Sequence, residues 1–173
     1  EISGTPVMVA NRKSSVFLAG DESACAKAAE VVKGFTDACT YFGAFGASIQ
    51  VKLIANLLVS IHIAAAGEAM AIGLRTGIDP KVLIGAIISG AGASAQFGAR
   101  AGMMAEKRYE PPLGAFEVLK HYFAPAKEMA SELGVATPMF DRAIELYERG
   151  LAEGWAGKDV AAIVEVIGGL RAR

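Results

Sequence analysis

The sequence predicts a mainly α protein: an all-α helical bundle over residues 44–173, built on a long interdomain helix and preceded over residues 1–43 by a small α/β remnant of a sheet domain. Three observations carry that reading. The opening stretch alternates short β-prone runs with a single helix, whereas from Gly46 onward the apolar residues recur at helical spacing. Glycines, prolines and capping residues punctuate this second stretch at helix-like intervals. The composition is 53% hydrophobic with a mean hydropathy of +0.39, which calls for helices covered on most sides by a partner domain, a second subunit or a membrane.

Taken in order, Val7–Ala10 and Ser15–Ala19 are β-prone runs separated by the polar turn Asn11-Arg12-Lys13. Gly20-Asp21-Glu22-Ser23 opens a helix, with Asp21 as N-cap and Glu22 in the first turn. Ala24, Ala28, Val31, Val32 and Phe35 give that helix an apolar face. Cys39–Phe42 is a further β-prone run. Such a strand–helix–strand unit is too small to be a sheet domain, so it reads as the edge of one whose remainder lies upstream.

Ala47–Arg75 then reads as one apolar helix of about eight turns. Gly77 closes it as a C-cap, and Asp79-Pro80 starts the next, Val82–Ser89. A glycine-rich break at Gly90–Gly92 leads to a helix over Ser94–Lys107 and a loop at Tyr109-Glu110-Pro111-Pro112. Phe116–Leu133 contains Pro125, which must kink the helix or split it in two. Gly134 ends that segment, Pro138 starts Met139–Ala152, and a last helix runs from about Lys158 to Leu170.

Several function classes are excluded as expectations. The uncharged stretch Leu53–Gly67 is too short to span a membrane and is interrupted by Asn56 and His62. Val82–Ala99 is just long enough, but it is rich in glycine and serine and follows the soluble helix-start signal Asp79-Pro80. Residues 1–20 lack a basic start followed by an apolar core, so no signal peptide is expected. A net charge of −1 offers no basic field for nucleic acid. Cys25 and Cys39 form no metal-type spacing with the two histidines, so no metal is expected and a reduced, cytoplasmic setting fits best.

The chemistry concentrates in Gly43-Ala44-Phe45-Gly46-Ala47-Ser48, followed by Lys52 and Asn56. Two glycines let the chain turn tightly into the long helix. Lys52 and Asn56 are four apart and share one face near the helix start. Apolar neighbours (Val51, Leu53, Ile54) and the positive end of the helix dipole both disfavour the ammonium form, which lowers a lysine pKa toward useful values. The same pattern also suits a lysine snorkelling from an apolar helix, beside an asparagine bonded to backbone.

The pattern Gly43-x-x-Gly46-x-Ser48-x-x-x-Lys52-x-x-x-Asn56 resembles the catalytic motif of the 3-hydroxyisobutyrate dehydrogenase (β-hydroxyacid dehydrogenase) family, related to 6-phosphogluconate dehydrogenase. Ser48 departs from it, standing where a third glycine is usual. Upstream, Ile2-Ser3-Gly4-Thr5 resembles the end of the family's substrate motif, with Ser3 and Gly4 matching and Thr5 departing from a glycine. The resemblance covers essentially the whole chain.

The resemblance implies hydride transfer between a small 3-hydroxyacid and NAD or NADP. Lys52 would be the catalytic residue, exchanging a proton with the reacting oxygen. Asn56 would orient Lys52 and the substrate, while Ser3, Gly4 and Thr5 would form the substrate-binding segment. Residues 1–43 would be the C-terminal edge of a Rossmann-type nucleotide-binding domain. The nucleotide loop is then absent from this chain, which alone should neither bind the cofactor tightly nor turn over. Residues 44–173 would be the substrate and dimerisation domain, making a homodimer or homotetramer.

Family members usually carry a Lys-Asp pair on a later helix, with the lysine near the cofactor. Alignment back from Gly134-Val135 and Pro138 places His121-Tyr122 there, so either His121 takes the cofactor-binding role or the site closes differently. Lys158-Asp159 lies too late in the chain and reads as a helix start. Gly90-Ala91-Gly92-Ala93-Ser94-Ala95 mimics a dinucleotide loop, but helices flank it, so it reads as a helix–helix turn. His62 reads as a bonded packing histidine. The rival readings are a phosphogluconate-type or imine-reductase-like relative and a non-catalytic helical dimerisation module.

Overall fold

The computed structural model describes residues 1–170, so the last three residues of the second expected domain lie outside the described residues. The chain forms two compact units, Glu1–Asn56 and Leu57 onward, and the division falls within the long helix.

The first unit carries a three-stranded sheet in the order β1-β2-β3, with β1 at Ile2–Ser3, β2 at Ser15–Leu18 and β3 at Ala38–Tyr41. β1 runs antiparallel to β2, pairing Ile2 with Val16 and Ser3 with Ser15. β2 and β3 are parallel, in register from Ser15–Ala38 to Leu18–Tyr41. The parallel pair requires a crossover, supplied by helix α2 (Glu22–Val32), which Asp21 caps by accepting from the Ala24 N–H at 2.8 Å. Arg12 ties the turn before β2 to the turn before β3, donating to the carbonyls of Gly34 and Lys33 and to Asp37, each at 2.9 Å. Cys25 and Cys39 are free thiols.

Two expectations fail in this unit. Val7–Ala10 is not a strand but lies in the short helix α1 (Pro6–Ala10). Thr5, in extended conformation, accepts from the Met8 N–H at 3.3 Å, and Pro6 takes a first-turn position where its missing N–H costs nothing. Local capping overrides the β preference of the two valines. The fold class also needs correction. The chain is 61% helical with a small sheet that pairs both parallel and antiparallel, so it is not an all-α helical bundle alone.

Helix α3 (Ala47–Gly73) is the long helix. In the second unit it is followed by α4 (Pro80–Ile88), α5 (Ala95–Glu106), α6 (Phe116–Lys120), α7 (Phe123–Glu132), α8 (Pro138–Ala152), a 3-10 turn at Val160–Ala162 and α9 (Ile163–Gly168). Asp79 caps α4 through the Lys81 and Val82 N–H groups, and Ser94 caps α5 through the Phe97 N–H. The expected split occurs at His121-Tyr122, and Pro125 sits in the first turn of α7, where helical N–H groups have no intrahelical partner anyway.

The core of this unit is aromatic. Tyr147, Phe116 and Phe140 are fully buried, Tyr147 lies 5.7 Å from Phe116 and 5.5 Å from Phe123, and its hydroxyl donates to the Ser60 carbonyl at 2.9 Å. Burial of that phenol raises its pKa. α3 contributes Ile63, Ala66, Met70 and Ala71 to the core, and Gly67 accommodates Ile163 of α9.

The second stretch weighed as a span is broken into α4, a turn and α5. The length argument does not dispose of α3. Among the described residues it is the one helix long and apolar enough to cross a membrane by length and composition, with 33% of its most apolar window buried.

Candidate functional site

The site grows from the end of β1. Gly4 has φ +151°, and a Cβ there would lie 3.0 Å from the Ser14 Cβ, so both conformation and space demand glycine. This fixes Ser3-Gly4-Thr5 as a turn. Ser3 and Thr5 are half-buried, Gly4 is exposed, and the Thr5 hydroxyl is engaged as the cap of α1.

The second component is the passage from β3 into α3. Gly43 and Gly46 have φ +82° and +95°, conformations that a side chain would strain, and Gly20 N–H holds the Gly43 carbonyl at 2.7 Å. Phe45, between these glycines, is 92% exposed. The sequence reading did not single it out; an aromatic between two turn glycines was the available signal. Ser48, Lys52 and Asn56 follow on α3 at intervals of four, each half-buried.

Lys52 closes the arrangement. Its Nζ donates to the carbonyl of Ile2, the residue before Ser3. A side chain on α3 thereby meets β1 across 50 positions of sequence. Burial holds the Lys52 ammonium below the ordinary lysine value, and the negative charge of Glu1 offsets part of that effect. The result is an amine that loses its proton more readily than a surface lysine, held at the carbonyl of Ile2, the residue before Ser3. Such a group can exchange a proton with an oxygen bound beside the Ser3-Gly4 turn.

The remaining candidates lie in the second unit. His121 is exposed at the C-terminal end of α6. His62 is exposed too, so the expectation that it packs in the interior is corrected: it falls on the uncovered side of α3. Gly90–Gly92 lies between two helices, as expected of a helix–helix turn.

Asp159 does more than start a helix. It is fully buried, caps the 3-10 turn through the Ala161 N–H at 2.8 Å and accepts from the Arg100 Nε at 3.1 Å. It also accepts from the backbone N–H groups of Leu113 (2.7 Å) and Gly114 (3.1 Å). Nothing local signals this pair, whose members are 59 residues apart. Nearby, Lys107, Tyr109, Glu110, Trp155, Lys158 and Glu165 line an open depression of about 450 Å³. Its charges are matched within the protein, Lys158 with Glu110 at 2.7 Å and Lys107 with Glu165 at 3.4 Å. Among the described residues no group of three or more metal-binding side chains occurs.

Comparison with known proteins bears on this geometry. The family model for the NAD-binding domain of NADP-dependent 3-hydroxyisobutyrate dehydrogenase matches residues 46–167. An L-threonate dehydrogenase of Cupriavidus necator is 29% identical over 170 residues, covering 98% of this chain and 57% of its own length. The glyoxylate/succinic semialdehyde reductase 2 of Arabidopsis thaliana chloroplasts is 28% identical over 165 residues, with coverage of 91% and 44%. The crystal structure of a 3-hydroxyisobutyrate dehydrogenase from Salmonella typhimurium superposes with a TM-score of 0.88 at 26% identity, covering 95% of this chain and 58% of that one. The chain thus spans a little over half the length of these dehydrogenases.

Both the family match and the structural likeness extend over most of the chain, which completes the correction of the helical-bundle reading. The chain belongs to the family described as the NAD-binding domain of NADP-dependent 3-hydroxyisobutyrate dehydrogenase.

Proposed function

We propose that this chain is the part of an NAD- or NADP-dependent dehydrogenase that holds a small hydroxyacid and exchanges the proton of its reacting oxygen through Lys52. The observation that carries the reading is the bond from Lys52 Nζ to the Ile2 carbonyl, which sets the amine beside the Ser3-Gly4 turn. Family membership supports it, and so do relatives named for acting on L-threonate and 3-hydroxyisobutyrate.

The residues present fit the reacting end of a nicotinamide cofactor. A half-buried amine stands on α3 just beyond a turn whose glycines, Gly43 and Gly46, have nothing within 4 Å of where a Cβ would sit. When bound, the cofactor supplies the redox chemistry. The chain's own residues supply position and proton. In oxidation the neutral Lys52 amine takes the hydroxyl proton; in reduction the ammonium returns it to the carbonyl oxygen. Backbone groups of Ser3 and Gly4, with the Ser3 and Thr5 hydroxyls, anchor the carboxylate. Asn56, one turn beyond Lys52, orients the amine. His121 is the candidate for the cofactor side of the site. The helical unit carries self-association into a homodimer or homotetramer.

The test is a screen of the complete protein against short hydroxyacids with each nicotinamide cofactor, L-threonate first. Reduction of one cofactor by at least one such acid is expected. No turnover with any of them, in either direction, overturns the reading.

A further inference from the structure

On α3 the polar residues nearest the site form a line of their own. Ser48, Lys52 and Asn56 are spaced by four on a helix otherwise dominated by apolar residues. Residues four apart lie one above another, with Cβ atoms about 5–6 Å apart. Helical side chains also lean back over the turn before their own. Lys52, one helical turn beyond Ser48, donates from its Nζ to the Ile2 carbonyl. Ser48 is half-buried, hence reachable from solvent, and its hydroxyl makes no hydrogen bond among the described residues.

We propose that Ser48 determines substrate specificity, bonding a second hydroxyl on the carbon next to the reacting one, so that the preferred substrate is a polyhydroxy acid of the aldonate class. This rests on the dehydrogenase reading of Lys52. A serine hydroxyl offers one donor and two acceptors. A substrate with a hydroxyl at that place satisfies it while Lys52 holds the neighbouring reacting oxygen. A substrate with hydrogen or methyl there strands the serine hydroxyl against an apolar group. Sites built to bond a hydroxyl reject analogues lacking one for this reason. A glycine here would discriminate neither way.

The experiment uses the complete protein, wild type and the variants S48A and S48G, with L-threonate and 3-hydroxypropionate as substrates. The readout is the ratio of the two kcat/KM values, with circular dichroism confirming that each variant folds. Wild type favours L-threonate, and in both variants the ratio falls about tenfold, the worth of one net hydrogen bond. An unchanged ratio, or a wild type that favours 3-hydroxypropionate, overturns the role of Ser48 and leaves the dehydrogenase reading standing. A wild type that turns over no hydroxyacid removes the dehydrogenase reading, and this inference with it.

Discussion

Lys52 sits on a helix of mainly apolar residues, with its charge against burial and its proton aimed at a backbone carbonyl. If it carries the proton of the reaction, Lys52→Ala in the complete protein lowers kcat by about 10²–10⁴ and leaves the circular dichroism spectrum unchanged. Wild-type turnover in that variant would make the lysine a packing residue. The pH dependence follows from the direction of the shift. Burial places the Lys52 pKa below 10.5. In oxidation the neutral amine is competent, so kcat/KM climbs with pH and levels off above that pKa. In reduction the ammonium is competent, so kcat/KM declines as pH rises through the same value. Inflections in opposite senses at one pH below 10.5 are expected; identical profiles in both directions would assign the proton to another group. The spacing of Lys52 and Asn56 was legible in the sequence because helical periodicity puts residues four apart on one face. The bond to Ile2 was not, since a contact across 50 residues is made by the fold. The cap at Thr5 was missed because the valines after it favour strand on propensity, whereas the hydroxyl–amide bond that decides the matter is a local side-chain event.

Among the elements, the helices with strong punctuation were the legible ones. Asp21, Asp79-Pro80, Ser94 and Pro138 each mark a helix start in the structure as in the sequence. What escaped is long-range. β1 becomes a strand only by pairing with β2, and Asp159 is a hub only because Arg100, Leu113 and Gly114 converge on it. Asp159→Ala would leave the Arg100 guanidinium and the backbone N–H groups of Leu113, Gly114 and Ala161 without this acceptor, a cost of about 3–5 kcal/mol, read as a lowered midpoint in urea. A surface-like loss well under 1 kcal/mol would mean that water replaces the carboxylate. Glycines give a sharper test of packing. A Cβ at Gly150 of α8 would run into the ring of Phe116, which is fully buried and wedged against Tyr147. Gly150→Ala therefore destabilises by about 1–3 kcal/mol despite the gain in helix propensity. Gly98 of α5 has nothing within 4 Å of where a Cβ would sit, and Gly98→Ala stabilises by about 0.5–1 kcal/mol. Equal effects at the two positions would contradict the packing of α8 against α6.

For the whole molecule, the question is what covers its apolar surface. Residue for residue α4 is more apolar than α3, yet none of its residues is buried. Leu83 turns inward against Gly73, while Val82 is 64% exposed, and Ile78 and Ile88 are exposed as well. On α3 in the same unit, Ile72 is 68% exposed. Single exposed aliphatics are ordinary on protein surfaces; a helix that buries none of its residues is a different matter. A second copy of the protein is the occupant expected here, because an exposed apolar helix face of this kind marks a protein–protein contact. Light scattering of the complete protein should give a dimer or tetramer. Val82→Glu should shift it toward smaller species with the fold intact, since a carboxylate buried in an apolar contact without a partner is strongly unfavourable. If the wild type is monomeric, self-association fails. If it is oligomeric and Val82→Glu leaves it so, the contact lies on another face.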